Sequence, residues 1–210
     1  MGQKESSNFG PLGFDPSKYK QVVMVRGVKG SGRSWLCERL RDHGCVCLDL
    51  NQLVRDNFNA ALSPKENRKN LEHKFEEISN ATSSKLLILI SDYLITSPKA
   101  LAKFFIELDG WSLEKGFRRG HMMNVNRIQS HASKLKDAIR NGPLADIDKA
   151  FVHAGFDCKP TLQFTEYMVE YNRAKESSTE KGYTVIPCQA VRNEIEKMCG
   201  ALTVEENFTS

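Results

Sequence analysis

The sequence contains no apolar run long enough to cross a bilayer, and its N-terminal region lacks the apolar core of a secretory signal. Its six cysteines are scattered, and no pair of them has the spacing of a zinc knuckle or of a redox dithiol. These absences argue against a secreted protein, a membrane-spanning helix and a zinc-binding module. We therefore expect a cytoplasmic protein whose thiols are reduced.

The composition is that of an ordinary globular protein, with 27% charged residues in a chain of 210. That length allows one α/β domain with a full hydrophobic core and is too short for two ordinary domains with a linker. We expect a flexible arm at residues 1–18, one domain at residues 19–200 and a flexible tail at residues 201–210. The formal net charge of +4 favours a polyanionic ligand, although it is equally typical of a protein with a small excess of lysine.

The first residues match a pattern for lipid modification. Gly2 follows Met1, and Ser6 stands where the myristoylation pattern has serine. Many unmodified proteins begin in the same way, so the pattern alone does not decide whether Gly2 is acylated. One acyl chain gives only marginal, reversible membrane binding, and we expect peripheral association with membranes only if Gly2 is myristoylated.

Hydrophobic patterns predict alternating strands and helices in the first half of the chain. Gln21–Arg26 is a short, mostly apolar run, rich in valine, that ends at a glycine cluster, and Lys85–Asp92 is continuously apolar from Leu86 to Ile90, as expected of buried parallel strands. Between them the patterns predict a helix at 33–42 that ends before Gly44, a strand at 45–49, and one or two helices at 51–82 that are interrupted near Ser63 and Pro64.

The second half is predicted in the same way. Pro98 opens a helix to about Leu108, and the alternation within Gly110–Phe117 predicts an outer strand. There follow a basic helix at 121–140, further helices within 145–175, a strand at 183–187 and a helix to about Met198. Strands that alternate with helices predict an α/β fold, a three-layer sandwich with a mostly parallel five-stranded sheet. In such a sheet ligands bind beyond the carboxyl ends of the strands.

The strongest motif lies between the first strand and the first helix. Gly27 and Gly32 are separated by four residues, and Ser34 follows two positions after the second glycine. Glycines at such a turn let the backbone direct several N–H groups at a phosphate, to which the helix N-terminus adds a partial positive charge. A glycine-rich turn without a ligand is the plain alternative. The residues expected to bind the phosphates of ATP or another nucleoside triphosphate are Gly27, Lys29, Gly30, Ser31, Gly32, Arg33 and Ser34.

Arg33 stands where phosphate-binding loops of this pattern have lysine. Lysine is a compact point charge, whereas arginine is a planar fork of different reach. Phosphate binding therefore tolerates the replacement more readily than catalysis does, and Lys29 is a candidate for the replaced charge. Arg33 itself remains among the candidate catalytic residues.

Three polar residues are candidates for metal binding and proton transfer. Ser34 and Asp92 are the expected ligands of Mg²⁺, the serine through its hydroxyl and the aspartate directly or through water. Asp92 has a plain alternative, which is to cap a helix near Ser97 or to pair with a lysine. Asp49 is a candidate general base for an acceptor hydroxyl, or equally an N-cap of the next helix.

A basic segment follows the predicted outer strand. It contains Arg118, Arg119, Arg127, Lys134, Lys136 and Arg140. Guanidinium groups in this position are able to close over a transferring phosphoryl group and stabilise its oxygens. We expect Arg118 and Arg119 to contact the nucleotide and Arg127 to act in catalysis. A solvated basic face is the plain alternative, chiefly for the lysines.

Together these motifs resemble the P-loop kinase superfamily, and most closely its polynucleotide-kinase-like branch. The resemblance covers roughly residues 21–130 and is carried by Gly27–Ser34, Leu89–Asp92, Pro98 and Gly110–Glu114. In that branch a strand ending in Ser-Asp leads into a helix started by proline, and then into a Gly-Trp strand that delivers the arginines of a helical lid. Arg127 is the best match to that lid, and residues 141–210 take no part in the resemblance.

The resemblance implies a P-loop kinase-like fold and ATP- and Mg²⁺-dependent transfer of a γ-phosphoryl group. The acceptor would be a hydroxyl or phosphate of a nucleotide or of a nucleic-acid 5′ end. Asn51 stands where the catalytic aspartate of the branch aligns best, with Asp49 two residues earlier. Three alternatives stay open: a kinase of deoxynucleotides or other small molecules, a domain that binds nucleotide or nucleic acid without turnover, and a scaffold tethered to a membrane by an acylated arm.

Overall fold

The computed structural model describes the greater part of the chain. The described residues are 21–43, 45–82, 86–95, 99–128, 133–144, 147 and 164–208. The arm predicted at residues 1–18, the helix start predicted at Pro98 and the glycine stop predicted at Gly44 lie outside them, whereas the helix predicted at 33–42 is confirmed as Arg33–Asp42. None of the described helices combines the length and the apolar content that a membrane span requires.

The centre of the molecule is a parallel β-sheet. Its strands are β1 (Gln21–Arg26), β2 (Val46–Asp49), β3 (Leu86–Ser91), β4 (Ala102–Glu107) and β5 (Thr184–Pro187). They lie in the order β2, β3, β1, β4, β5, and every neighbouring pair is parallel. β1 is the central strand, with Val22 opposite Leu87 of β3 and Val25 opposite Phe104 of β4. The predicted α/β class and five-stranded sheet are thus confirmed, and the described sheet is parallel throughout.

Helices cover both faces of the sheet. The seven helices of the described residues are α1 (Arg33–Asp42), α2 (Leu50–Asn57), α3 (Pro64–Ala81), α4 (Gly110–Ile128), α5 (Ser133–Asn141), α6 (Phe164–Glu180) and α7 (Cys188–Phe208). Leu36 of α1 and Ile195 of α7 pack on one face of the sheet. Phe75 of α3 and Tyr171 of α6 pack on the other face. This arrangement is compatible with the predicted three-layer sandwich.

The two strands at the centre are buried because their sequences are apolar on both faces. All six residues of β3 are buried, and so are four consecutive residues of β1, Val22–Val25. A parallel strand between two helical layers exposes neither face to water, so its side chains do not alternate between apolar and polar. Full burial of one such side chain contributes roughly 1.5–3 kcal/mol. β1 and β3 therefore provide a rigid support for the residues at their carboxyl ends.

The interruption predicted near Ser63 and Pro64 is confirmed. α3 begins at Pro64, where the missing N–H of proline does not disturb the helix. The Ser63 hydroxyl accepts a hydrogen bond from the N–H of Glu66 at 3.3 Å, and the Glu66 carboxylate accepts one from the N–H of Ser63 at 2.8 Å. This reciprocal cap separates α2 from α3.

The helix predicted from Pro98 to Leu108 is wrong. Most of this segment forms β4, which lies between β1 and β5. Its residues Phe104, Phe105 and Ile106 are buried, because strands flank β4 on both sides and helices cover both faces. The short apolar run therefore belongs to a buried strand, which periodicity alone does not distinguish from a helix.

The strand predicted at Gly110–Phe117 is also wrong, because this segment forms the first two turns of α4. Asp109 begins the helix: its carboxylate accepts a hydrogen bond from the N–H of Ser112 at 2.8 Å. Leu113 and Phe117 face the core four residues apart, whereas the Trp111 side chain is 68% exposed. The helical spacing of the buried residues thus outweighs the alternating pattern that suggested a strand. The Gly-Trp strand expected from the resemblance is the start of a helix in this chain.

The later elements follow the prediction except at their ends. β5 lies within the strand predicted at 183–187, and the helix predicted at 121–140 is divided between α4 and α5. α6 overlaps the helical region predicted within 145–175, of which residues 148–163 lie outside the described residues. α7 continues to Phe208, past the end predicted near Met198, and so overlaps the predicted tail.

Candidate functional site

The glycine loop, Gly27–Ser34, connects β1 to α1 at the carboxyl edge of the sheet. Gly30 and Gly32 have φ angles of +82° and +96°, which residues with a side chain rarely adopt. The N–H of Gly27 donates to the carbonyl of Ser91 at 3.1 Å and ties the loop to the end of β3. The two left-handed glycines then turn the chain sharply from strand to helix.

The first turn of α1 has no side-chain cap. Gly32 is the N-cap, and the first turn contains no acidic residue. The carbonyl of Gly32 accepts the first helical hydrogen bond, from the N–H of Leu36 at 2.9 Å. The first N–H groups of a helix have no partner within it and carry its partial positive charge. The N–H groups of Arg33 and Ser34 are therefore donors suited to a bound anion.

The topology places the glycine loop at a crevice in the sheet edge. From β1 the chain crosses β3 to reach β2, whereas from β3 it crosses β1 to reach β4. The two connections leave neighbouring strands in opposite directions, which opens a crevice beyond their carboxyl ends. Asp49 ends β2 and Asp92 follows β3, so both predicted carboxylates share this edge with the glycine loop.

Arg33 links the glycine loop to the end of β3. Its guanidinium donates to the amide oxygen of Asn51 at 3.2 Å and to Oδ2 of Asp92 at 3.3 Å. The Asn51 amide nitrogen donates to Oδ1 of Asp92, and the Asn51 amide oxygen accepts from the Asp92 N–H at 3.1 Å. The Arg33 side chain is 16% exposed and the Asp92 side chain 36% exposed. Both oxygens of the predicted Mg²⁺ ligand are therefore engaged by side chains of α1 and α2.

Asp49 caps α2. Its Oδ1 accepts hydrogen bonds from the N–H groups of Asn51 at 2.9 Å and Gln52 at 3.3 Å. This is the geometry of an N-cap, so the capping alternative is present in the structure. Oδ2 of Asp49 accepts no hydrogen bond from the described residues, and the residue is half-buried. One carboxylate oxygen is therefore left for other chemistry.

α4 and α6 hold the tip of the glycine loop. Gly30 lies so close to the backbone carbonyl of Gly116 that a Cβ on Gly30 would overlap it. The Tyr167 hydroxyl donates to the carbonyl of Lys29 at 2.8 Å. Burial raises the pKa of Tyr167, so the hydroxyl stays protonated and remains a donor. The loop is thus fixed by two helices, while the side chain of Lys29 is exposed.

Arg118, predicted to contact nucleotide, joins α4 to the end of α5. Its guanidinium donates to the Glu114 carboxylate at 2.8 Å and to the carbonyls of Ile139 at 2.8 Å and Gly142 at 3.0 Å. These bonds use donors on all three guanidinium nitrogens, because Nε also donates to Glu114. Arg118 therefore holds α4 and the end of α5 together.

Arg119 and Arg127 also belong to α4. Arg119 is exposed and donates through Nε to the carbonyl of Lys115 at 3.2 Å. The backbone of Arg127 is helical, and its side chain lies outside the described residues. A cavity of about 460 Å³ opens between α4 and α5, and four of its six lining residues are cationic. Its lining residues are Lys115, Arg118, Arg119, Met122, Ile139 and Arg140.

Sequence reasoning missed Arg26, the last residue of β1. Its guanidinium donates to the carbonyl of Asp92 at 3.2 Å and to the hydroxyls of Ser177 at 2.9 Å and Ser178 at 2.8 Å. Burial lowers the pKa of Arg26, the expected effect of a low-dielectric environment on a cation. The available signal was a cation at the end of an apolar strand, directly before the glycine loop. Arg26 therefore joins the end of β3 to α6.

No protein-family model matches the chain, and no curated protein matches it. The strand order itself brings the glycine loop, Asp49, Asn51 and Asp92 to one sheet edge.

Proposed function

We propose that this chain binds ATP or another nucleoside triphosphate in the glycine loop and transfers its γ-phosphoryl group. The acceptor is a hydroxyl or phosphate of a nucleotide or of a nucleic-acid 5′ end. One observation carries the proposal: the left-handed Gly30 and Gly32 directly precede an uncapped helix N-terminus at the sheet crevice. Such a turn gathers N–H donors and the positive end of a helix around one point, as phosphate binding requires.

Three cationic residues belong to the glycine loop or lie near it. Lys29 is exposed within the glycine loop, and Arg33 begins α1. Cys188 lies beside Gly32 of the loop. Burial raises the pKa of the Cys188 thiol to about 11, and the positive charge of Arg119 opposes that rise, so the field of Arg119 reaches this part of the loop. In the proposed complex these three cations offset the negative charge of the phosphates.

The proposed acceptor chemistry uses Asp49. Its Oδ1 caps α2, whereas Oδ2 is available to take the proton of an acceptor hydroxyl. Asp49 lies at the same sheet edge as Asp92 and the glycine loop, which supports this role. Arg127 is proposed to stabilise the transferring group, on the basis of its place in α4.

The sheet edge fits a magnesium ion held mainly by water and phosphate oxygens. The described residues contain no group of three or more His, Cys, Asp or Glu side chains placed to hold a metal. Magnesium does not need one, because it keeps several waters and takes one or two protein ligands. Ser34 is exposed at the start of α1, and Asp92, whose oxygens already accept hydrogen bonds, fits such an ion through a water. When bound, the ion would neutralise charge that develops on the phosphates.

A second candidate is nucleotide binding without turnover, and the contacts of Arg33 favour it. Its guanidinium is bonded to Asn51 and Asp92, so it reaches a γ-phosphate only if those bonds break. The same ion pair neutralises the carboxylate that is proposed to hold the metal ion. In this candidate the chain senses nucleotide or presents a nucleic-acid surface, and no product forms.

Binding and turnover are to be measured on the same full-length protein. At a Mg-ATP concentration of about 100 Kd, binding stabilises the folded state by about 2.7 kcal/mol, which raises the Tm of a chain of this size by about 5–10 °C. Transfer of label from γ-labelled ATP is measured to a 5′-hydroxyl oligonucleotide and to nucleoside monophosphates. Label transfer supports the kinase, and a Tm rise without transfer supports the second candidate. If Mg-ATP causes neither a Tm rise nor label transfer, the assignment of the glycine loop as a nucleotide site is overturned.

Three variants link these signals to the site. Gly32→Asp places a carboxylate at the N-cap of α1 and should abolish the Tm rise by repelling the phosphates. Gly32→Asn has nearly the same shape without the charge, and it therefore separates repulsion from backbone strain. Arg39→Ala, on the exposed side of α1, removes a surface ion pair with Asp42 and a cation–π contact with the exposed Trp35, and should leave both signals unchanged.

A further inference from the structure

The cysteines, which the proposed function does not use, connect elements that are far apart in the chain. Cys45 directly precedes β2, and Cys199 lies in α7. Their sulfur atoms are 3.0 Å apart although 154 positions separate the residues. A disulfide bond is about 2.05 Å long, so a movement of about 1 Å joins the two sulfurs. The contact is invisible in the sequence, where neither cysteine belongs to a spaced motif.

We propose that Cys45 and Cys199 are a redox-sensitive pair, in which hydrogen peroxide oxidises the two thiols to a disulfide that fastens α7 to the start of β2. This inference is independent of nucleotide binding. It adds a modification site on the face of the sheet that α1 and α7 cover.

Polar contacts beside the two thiols hold the elements in register. The Arg192 guanidinium of α7 lies 2.7 Å from Nε2 of His43, which follows α1. Glu196, one turn before Cys199, accepts a hydrogen bond from Arg192 at 2.6 Å and lies 3.4 Å from the same His43 nitrogen. The backbone of Cys45 is itself fixed, because its N–H donates to the carbonyl of Leu40 at 3.0 Å. These polar contacts therefore fix the positions of α7 and of the segment before β2, and the two thiols meet between them.

The surroundings of the two thiols determine the order of the reaction. Cys199 is half-buried, whereas Cys45 is 8% exposed, so Cys199 meets the oxidant first. Burial, and then the hydrogen bond with Cys199, raises the pKa of the Cys45 thiol to about 12. A thiol with so high a pKa reacts slowly with peroxide, because the thiolate is the nucleophile. Cys45 is therefore assigned as the resolving thiol, because its sulfur lies 3.0 Å from that of Cys199 and this proximity offsets its small thiolate fraction.

The chemistry takes two displacement steps. The Cys199 thiolate attacks one peroxide oxygen, the S–O bond forms while the O–O bond breaks, and the hydroxide that leaves is protonated to water. The Cys45 sulfur then attacks the Cys199 sulfur, the S–S bond forms, and the oxygen leaves as water with the Cys45 proton. The two thiols lose two electrons and two protons, and one hydrogen peroxide becomes two waters.

Other pairs are less suited to this reaction. Cys37 and Cys47 each influence the pKa of the other's thiol, but both are buried, and an oxidant reaches neither as readily as Cys199. Cys188 begins α7 beside Gly32, three turns from Cys199. The geometry therefore singles out Cys45 and Cys199 among the described cysteines.

The full-length protein tests the proposal directly. It is treated with hydrogen peroxide, its remaining thiols are blocked with a maleimide, and its peptides are mapped without reduction. We expect a Cys45–Cys199 cross-linked peptide and the loss of two thiols of the six. Because the bond closes a loop of more than 150 residues, the Tm should rise by about 10 °C and return when dithiothreitol is added.

Matched variants identify the pair. Cys199→Ser should abolish both the cross-link and the Tm rise, whereas Cys188→Ser on the same helix should retain both. A cross-link between other cysteines, or Cys199 oxidised to the sulfinic acid while Cys45 keeps its thiol, would overturn the proposal. The peptide map of the unaltered protein decides between these outcomes even if a variant fails to fold.

Discussion

Replacing Gly30 by alanine tests how closely the glycine loop packs against α4. Gly30 has a φ angle of +82°, where a side chain costs roughly 1–2 kcal/mol. The added Cβ would also overlap the carbonyl of Gly116, a backbone atom that no side-chain rotation can move. Such overpacking adds about 1–3 kcal/mol. Gly30→Ala should therefore lower the free energy of unfolding by about 2–5 kcal/mol.

Two other glycines separate backbone strain from steric overlap. Gly32 has a φ angle of +96°, but its Cβ would lie 3.6 Å from the Cys188 sulfur, an ordinary contact. Gly32→Ala should thus cost only the strain, about 1–2 kcal/mol. Gly110, the first residue of α4, has no other heavy atom near its Cβ position, and Gly110→Ala should change stability by less than about 0.5 kcal/mol.

Urea unfolding followed by far-UV circular dichroism gives the three free energies. Each kcal/mol should also lower the Tm by about 2–4 °C for a chain of this length. If Gly30→Ala is no less stable than Gly32→Ala, the close packing on Gly116 is refuted. If Gly32→Ala is as stable as Gly110→Ala, the left-handed turn into α1 is refuted instead.

Two further substitutions separate structural from chemical roles. Asp49→Asn keeps a side chain that caps α2, whereas Asp49→Ala should lower the free energy of unfolding by about 1 kcal/mol. If Asp49 is the base, both variants should slow label transfer by about 100-fold or more. Undiminished transfer by Asp49→Asn would contradict that role. Arg26→Met removes charged hydrogen bonds to Asp92 and Ser178 and should lower the free energy of unfolding, measured in urea, by about 3 kcal/mol. The control variant Arg39→Met should lower it by less than about 0.5 kcal/mol. Equal losses would contradict the structural role of Arg26.

The elements that were predicted correctly are those that short stretches of sequence determine. β1 and β3 are continuous apolar runs, and few structures other than buried strands accommodate them at that length. The start of α3 is encoded by Ser63, Pro64 and Glu66 within four residues. The glycine loop is likewise local, because the requirement for positive φ falls on glycines that the sequence shows directly.

The helix predicted at Pro98–Leu108 failed because distant contacts decide the outcome there, whereas the strand predicted at Gly110–Phe117 failed because the local Asp109 cap and the helical spacing were overlooked. β4 contains alanine and lysine before its aromatic residues, and it becomes a strand because β1 and β5 lie on either side of it. The contacts of the site have the same origin. Arg33 and Asp92 are 59 positions apart, and no spacing pattern indicates that they pair. The sequence thus identified residues of the candidate site, while the partners of those residues depend on the order of the strands.

The central position of β1 also sets the moment in synthesis at which the glycine loop can form. β1 lies between β3 and β4, so its strand partners emerge from the ribosome only after residues 91 and 107 have been added. The bond from Gly27 to Ser91 that anchors the loop waits for the same segment. Parallel pairings of such distant segments form slowly. A nascent chain that ends within α3 therefore carries the whole glycine motif without the turn that gathers its N–H groups, and the proposed anion site forms only when β3 joins the sheet.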